Sequence, residues 1–475
     1  MDNYNSKALK SGFWYIFSNL LVRAVTLIIT PIFSRLLTKE QVGEYSNFQS
    51  WMTIAFIVVS LRAEASFISA KFDFKDRSGL YNRSVIALTA LVTCCWALVV
   101  NIFSPFFTNL LGFSRFYINL LLVYCFFNAV ISIFQIYERF QYRYKKSVLV
   151  SLVTTISTAV VSILLVLLME DRLAGRILGG ILPIVAIGLV LVFWFFKRER
   201  SVDTSIWPYA LKICIPYVPH LLSLQVLNSI DKIMIKKICG AADNALYTIA
   251  YTCGHVVTLL MTAMNMAFSP WLGDKLHEGK NEEIRKVVRY YIAAFAFLAF
   301  GIMLLTPELL LIMGGRSYLE ARYVMPPVAM GCVCQFLYTL YVNVEQYKKK
   351  TTGMAIVSVL AAGMNYGLNA IFIPMYGYNA AAYTTLAGYL FLLIAHMLLV
   401  RKLKLGDVYD NKFVLLIVGV MMVLTLGVNF IYDYALIRYI IIGIYVIVFC
   451  LVMWIKRDLV KRLFRMVVKR SEAKA

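Results

Sequence analysis

The chain is built from long, uninterrupted apolar runs, and that fact constrains its fold most. Fourteen such runs stand at about 11–34, 46–69, 83–104, 116–137, 148–169, 176–196, 210–235, 244–269, 289–313, 323–345, 354–374, 379–400, 413–432 and 436–455. Each has the length of about 20 residues that an α-helix needs to cross the hydrocarbon core of a bilayer. Apolar residues make up 61% of the chain and charged ones 15%, so no water-soluble core could hide this surface. The runs are continuous rather than alternating, which excludes a transmembrane β-barrel. An all-α polytopic membrane protein with about fourteen spans and short connections is the expectation. The first run is too long for the apolar core of a signal peptide and has no clear cleavage site, so it reads as an uncleaved first helix.

Charge placement tests the count. With the N-terminus inside, 34 of the 47 Lys and Arg residues fall in segments on the inner side, 10 fall outside, and three (Arg23, Arg62 and Lys232) stand within spans. Basic residues gather in loops that stay on the cytoplasmic side. The bias predicts N-terminus and C-terminus in the cytoplasm and an even number of spans. The net charge of +22 is thereby explained as membrane topology, with no call for a nucleic-acid partner. The nine cysteines lie mostly in apolar runs and read as small packing residues.

A faint internal repeat divides the chain. Shifting residues 8–45 by 202 positions pairs Tyr15 with Tyr217, Ile28 with Ile230, Arg35 with Lys237 and Tyr45 with Tyr247. Run 1 then matches run 7, both pointing the same way. Glu138 and Glu345, each before a basic cluster, form a second echo. The expected organisation is two six-helix lobes, 1–200 and 201–405, related by an axis along the membrane normal, then helices 13 and 14 (406–455) and a basic cytoplasmic tail (456–475). Repeats of this kind put the substrate between the lobes.

Ionisable residues inside spans are costly and usually face a cavity or a partner. Arg23, near the middle of run 1, is the strongest such signal. Arg62 lies in the inner half of run 2, where it faces a cavity, pairs with a neighbouring helix or snorkels to the inner face; Glu64 is two positions on, a spacing at which helical side chains do not face each other, so the two are not expected to form a self-contained pair. Asp231 and Lys232 sit in run 7, where ion pairs to a neighbouring helix are the simplest reading and a substrate or coupling-ion role the sharper one. His220 follows Pro216-x-x-Pro219. Pro31, Pro216 and Pro219 are hinge candidates, since each removes a backbone donor from its helix. No metalloprotease, nucleophile-elbow or P-loop motif is present, so neither a catalytic centre nor a cofactor or metal is expected.

The stretch from Arg35 to Ser46, Arg-Leu-Leu-Thr-Lys-Glu-Gln-Val-Gly-Glu-Tyr-Ser, resembles the "R-x-L-T-x-E-x-x-G-x-Y" signature that follows the first helix in Wzx-type polysaccharide repeat-unit flippases of the MOP exporter superfamily. Asp231-Lys232, Gly240 and Asn244-Ala245-Leu246-Tyr247 are similar to the family's second-lobe pattern, with Ala245 in place of its usual Gly; Ser269-Pro270-Trp271 also fits. The resemblance implies a MATE-like MOP fold and export of an undecaprenyl-diphosphate-linked oligosaccharide across a bacterial cytoplasmic (inner) membrane, for O-antigen, capsule or exopolysaccharide synthesis. Membrane lipids, a polysaccharide polymerase and a chain-length regulator are the partners it suggests. Arg23, Arg62 and Lys232 become candidates for holding the diphosphate or anionic sugars, because arginine suits phosphate oxygens. Glu64, Asp231 and His220 become candidates for a proton or sodium coupling site. A peptidoglycan-precursor flippase shares the fold and the basic cavity. A multidrug cation antiporter would need buried carboxylates, whereas the deep charges here are mainly cationic. A polytopic enzyme such as a repeat-unit polymerase would be expected to carry a larger outer loop.

Overall fold

A computed structural model describes residues 18, 21–22, 24–74, 77–141, 143–197, 201–348, 351–403 and 405–455. Arg23 and the basic tail lie outside the described residues, as does the side chain of His220. Every regular element among the described residues is helical. In chain order the main helices are α1 (Ala24–Leu36), α2 (Lys39–Ser60), α3 (Phe67–Asp73), α4 (Ser78–Ile102), α5 (Ser104–Leu111) and α6 (Arg115–Phe140). There follow α7 (Tyr144–Leu168), α8 (Arg172–Phe196), α9 (Trp207–Ile238), α10 (Ala241–His255), α11 (Val257–His277) and α12 (Asn281–Leu304). The last are α13 (Thr306–Met313), α14 (Met325–Tyr347), α15 (Thr351–Tyr376), α16 (Tyr378–Lys402), α17 (Asn411–Ile431) and α18 (Ala435–Ile455).

The described residues of all fourteen expected runs lie mostly in helix. Eleven helical segments are long and apolar enough to cross a bilayer, and the described parts of α1 and α18 are shorter apolar helices. The fourteenth, α2, is 22 residues long but polar in its first half, where Lys39, Glu40, Gln41 and Glu44 stand. The lipid face is legible on α7: Leu149, Val153, Ile156, Val160 and Leu164 are all exposed at helical spacing, a stripe suited to hydrocarbon rather than water.

Three apolar cores hold the bundle. One runs from Phe48 to Ala210 and belongs to the first lobe. A second runs from Leu227 to Met421 and joins the second lobe to α17. The third crosses between them, packing Phe33, Leu37, Val42 and Val166 against Ile235, Tyr247, Leu310 and Tyr318. This third core sits at the end of the bundle that carries the α1–α2, α7–α8 and α9–α10 turns, hereafter the closed end. The opposite end carries most of the basic residues and is called the basic end.

The repeat is visible in the contacts. Ser46 Oγ and Thr248 Oγ1, positions 202 apart, share a hydrogen bond of 2.6 Å. Two equivalent residues can touch only where the pseudo-twofold axis passes between them. Beside them the Asn244 amide donates to the Gly43 carbonyl at 2.8 Å.

Three runs are broken rather than continuous. Pro307 opens α13 and ends the α12 segment. The α10–α11 break follows Gly254, whose added Cβ would lie 2.8 Å from Val328 Cγ1. The third break corrects the reading of run 2. Helix α2 stops at Ser60, and Leu61 (φ 51°) and Arg62 (φ 49°) take left-handed backbone before a short 3₁₀ segment, Ala63–Ser66. The Ser60 hydroxyl receives the Arg62 N–H at 3.1 Å, satisfying one donor that the broken helix frees. Left-handed backbone costs a non-glycine residue about 1–2 kcal/mol. Leu61→Gly is therefore expected to raise the thermal unfolding midpoint in detergent; an unchanged or lower midpoint would show that the Leu61 side chain outweighs the strain.

Candidate functional site

The family-signature stretch builds the closed end. Thr38 is the N-cap of α2: its Oγ1 accepts the Gln41 N–H at 3.2 Å, and Gln41 Oε1 accepts the Thr38 N–H at 3.1 Å, a reciprocal capping box. Arg35 donates to the Ile312 carbonyl at 3.0 Å, where it caps orphan carbonyls at the end of α13. Lys39 pairs with Glu320 at 2.5 Å and Glu44 with Lys236 at 3.3 Å. Gly43 lets α2 and α10 meet, since a Cβ there would lie 1.7 Å from the Ala241 carbonyl oxygen. Each of these residues ties one lobe to the other, except Thr38 and Gln41, which set the helix that does so.

Beneath this seal lies a cavity of about 610 Å³ between the lobes. Helices α1, α2, α6, α7 and α8 form one wall and α9, α10 and α14 the other. Its lining is hydroxyl- and amide-rich, with Thr53, Thr155, Thr158, Gln225 and Asn228 among the contributors, and it includes two cations, Arg176 and Lys232. No carboxylate lines it among the described residues. Gln225 crosses its floor, donating to Thr53 Oγ1 at 2.9 Å and to Ser229 Oγ at 2.7 Å.

Arg176 is the residue that sequence reasoning missed, having been counted as an outer flank of run 6. Asp171 supplies the signal. Its carboxylate accepts the Ala174 N–H at 3.0 Å and starts α8 at Arg172, four residues earlier than expected, as an Asp N-cap should. Arg176 thus stands a turn inside the helix. Its guanidinium lies between two rings, 3.8 Å from the Phe33 centroid and 4.2 Å from that of Tyr45, and Nη1 donates to Ser162 Oγ at 2.8 Å. The aromatic sandwich fixes a delocalised cation without neutralising it. A close approach of α7 and α8 makes room: a Cβ on Gly179 would lie 2.3 Å from Ser162 Cα.

Lys232 lines the same cavity, with Nζ 5.0 Å from the Tyr251 ring centroid. It makes no ion pair among the described residues. Asp231, its neighbour, points elsewhere. It is 1% exposed and is held by neutral donors only: Tyr247 Oη at 2.7 Å, Thr385 Oγ1 at 2.5 Å and Asn369 Nδ2 at 2.6 Å. Asn369 in turn bonds Asn365 at 3.3 Å and Thr384. The expected ion pairs of Asp231 and Lys232 with a neighbouring helix are not made among the described residues. The two charges are separated by the helix: one faces the cavity, the other a buried polar cluster of α10, α15 and α16.

Arg62 and Glu64 are not among the cavity-lining residues. They do pair, with Arg62 Nε 3.0 Å from Glu64 Oε1, against the expectation from helical spacing; the left-handed break at residues 61 and 62 cancels the helical geometry on which that expectation rested. Arg62 also lies 5.3 Å from the Phe56 ring. Pro31 falls inside α1, whereas Pro216 and Pro219 fall inside α9, which continues through both.

Residues 8–275, more than half of the chain, match the family model described as "Polysaccharide biosynthesis protein". The chain belongs to that family. Residues 216–371 also match the MatE model. A curated relative, Lsg locus putative protein 1 of Haemophilus influenzae, is 23% identical over 373 residues, which is 75% of this chain and 88% of that one. Among solved structures, a lipid II flippase MurJ in an inward closed conformation aligns with a TM-score of 0.71 at 14% identity, covering 94% of this chain and 99% of that one. An inward-facing multidrug resistance MATE family transporter of the MOP superfamily aligns with a TM-score of 0.60 at 14% identity, covering 82% and 95%. This polysaccharide biosynthesis family member therefore has the MOP fold: a multi-pass membrane protein of two parallel lobes followed by two further helices.

Proposed function

We propose that the chain flips an undecaprenyl-diphosphate-linked oligosaccharide repeat unit from the inner to the outer leaflet of a bacterial cytoplasmic membrane, as a transporter rather than an enzyme. The observation that carries this reading is the charge of the inter-lobe cavity. Arg176 and Lys232 line it with no carboxylate among the described lining residues, so it suits a diphosphate and disfavours a cationic drug. The surrounding hydroxyls and amides suit a glycan. Arg23 and Arg62 are proposed to receive the same diphosphate, Arg62 nearer the basic end, which on the positive-inside bias would face the cytoplasm. Lobes with bounds near 1–200 and 201–405 rock against each other, parting and meeting at Ser46 and Thr248, with Pro31, Pro216 and Pro219 as hinges.

Deletion of the gene tests the reading. Lipid-linked repeat units should accumulate on the inner leaflet and return to export when the wild-type gene is supplied. Accumulation of peptidoglycan precursor instead would favour the lipid II reading that the structural likeness to MurJ suggests.

Coupling is assigned to Asp231, with Glu64 and His220 as the other candidates. Asp231 is buried between α9, α15 and α16, where Tyr247, Thr385 and Asn369 donate to it and Asn365 and Thr384 bond Asn369 in turn, so exchange of a proton or monovalent cation there would change how these helices pack. Asp231→Asn is expected to abolish the dependence of export on an ion gradient while leaving the protein in the membrane. Gradient-driven export by that variant would exclude Asp231.

A further inference from the structure

The wall of the inter-lobe cavity is one-sided in its hydrogen bonding. Thr26 and Thr30 on α1, Thr53 on α2, Thr155 and Thr158 on α7 and Thr252 on α10 line it. Each of these hydroxyls bonds a carbonyl of its own helix. The partners are Val22 at 3.1 Å, Thr26 at 2.9 Å, Ser50 at 2.8 Å, Ser151 at 2.8 Å, Thr155 at 2.9 Å and Thr248 at 2.7 Å, in the same order. A carbonyl oxygen only accepts, so the shared proton is the threonine's and is committed to the backbone. What these side chains offer a ligand is oxygen lone pairs.

The amides lean the same way. Gln225 Nε2 donates to both Thr53 and Ser229, and Asn228 Nδ2 donates to the Leu224 carbonyl at 2.9 Å. Gln335 lines the cavity from α14, and its Oε1 is buried with no hydrogen-bond partner among the described residues. Buried acceptors are normally satisfied, so this oxygen points to a donor on a ligand. The placement on α7 is directional: Thr155 and Thr158 line the cavity, while Ile156 and Val160 belong to the exposed apolar stripe.

Arg176 and Lys232 can serve the diphosphate, which brings acceptors only. The rest of the substrate meets threonine and glutamine oxygens and must supply the protons itself. On the flippase reading, we infer that the cavity recognises its glycan through the protons that the sugar donates. The substrate class is then a glycan with unsubstituted hydroxyl groups. An ether or ester oxygen in place of a sugar hydroxyl sets acceptor against acceptor and buries both without a proton between them.

The test uses the purified full chain in neutral detergent, with binding followed by native mass spectrometry. Three synthetic short-chain polyprenyl diphosphates serve as probes: one carries a neutral disaccharide with free hydroxyls, one the same disaccharide with every hydroxyl methylated, and one no sugar. The free-hydroxyl probe is expected to bind about tenfold more tightly than the methylated one, which should bind no better than the sugar-free one. Thr155→Val with Thr158→Val removes two acceptors at nearly constant shape. It should weaken the free-hydroxyl probe about tenfold, as for loss of two neutral hydrogen bonds, and leave the other two probes unchanged. That selectivity separates a missing proton from the bulk of the methyl groups, and unchanged binding of the sugar-free probe shows the double variant to be folded. Thr154→Val takes a hydroxyl from the same helix outside the cavity lining and should alter none of the three affinities. Equal affinity of the wild-type chain for the free-hydroxyl and methylated probes would overturn the inference, as would equal losses for both in the double variant. In either case, binding of the sugar-free probe leaves the flippase reading standing. If none of the three probes binds, the flippase reading fails and the substrate class falls with it.

Discussion

Arg176→Ala is expected to reduce export of the lipid-linked glycan by about ten- to a hundredfold, the range for loss of a charge-assisted contact worth about 1.5–3 kcal/mol. The side chain enters the cavity already oriented. Phe33 and Tyr45 hold its two faces and Ser162 takes Nη1, so little entropy is lost when an anion arrives. Arg176→Lys should not restore function. An ammonium keeps the charge but cannot present a flat fork between two rings or take two phosphate oxygens at once. Membrane abundance should be unaffected, since the residue is half-buried on a cavity wall rather than packed in a core. Accumulated substrate on the inner leaflet at wild-type protein level is the measurement. Full export by Arg176→Ala would remove this residue from the path and leave Lys232 as the cavity's cation. If Arg176→Lys matches wild type, charge alone suffices and the aromatic sandwich has another purpose.

The span pattern was readable because bilayer thickness translates directly into run length, and the described part of every run is mostly helix. The repeat was readable at Tyr45 and Tyr247 because equivalent backbones keep equivalent neighbours; the touching pair Ser46 and Thr248 gives the reason in space. The break after Ser60 left no trace, because neither Gly nor Pro marks it: a serine hydroxyl and two left-handed residues make it. Its consequence, the Arg62–Glu64 pair, was illegible for the same reason. Arg176 was misplaced by a boundary error of four residues, and Asp171 as a cap would have corrected it. Lys232 was found by its depth alone, whereas the separation of Lys232 from Asp231 needs the third dimension: adjacent residues on a helix point about 100° apart, and here one direction is cavity and the other a cluster of amides and hydroxyls. The signature from Arg35 to Ser46 was legible as a family mark but silent about its task. Its capping box, its inter-lobe ion pairs and its glycine crossing hold the two lobes together at one end.

That crossing yields the other large effect. Gly43→Ala places a Cβ 1.7 Å from the Ala241 carbonyl oxygen, far inside van der Waals contact. The obstacle is backbone, which cannot swing aside as a side chain would, so α2 and α10 must separate at the axis of the repeat. The Asn244 bond to the Gly43 carbonyl and the Ser46–Thr248 bond are then lost together. Each lobe keeps its own core, because the cores centred on Phe48 to Ala210 and Leu227 to Met421 lie on separate sides of the seam. The expected outcome is a folded protein that cannot close this end and does not transport. Paired cysteines at Ser46 and Thr248 report closure directly, since the side-chain oxygens they replace are 2.6 Å apart, close enough for sulfurs to bond without large backbone movement. In an otherwise wild-type chain the pair should oxidise readily and arrest export, with reduction restoring it. With Gly43→Ala the disulfide yield should fall at least tenfold. Ready oxidation in the Gly43→Ala chain would mean that the helices slide past the new methyl group, and the glycine would then serve packing alone. Oxidation that leaves export intact would mean that this end stays shut throughout the cycle, which a movement that parts the two lobes at Ser46 and Thr248 cannot accommodate.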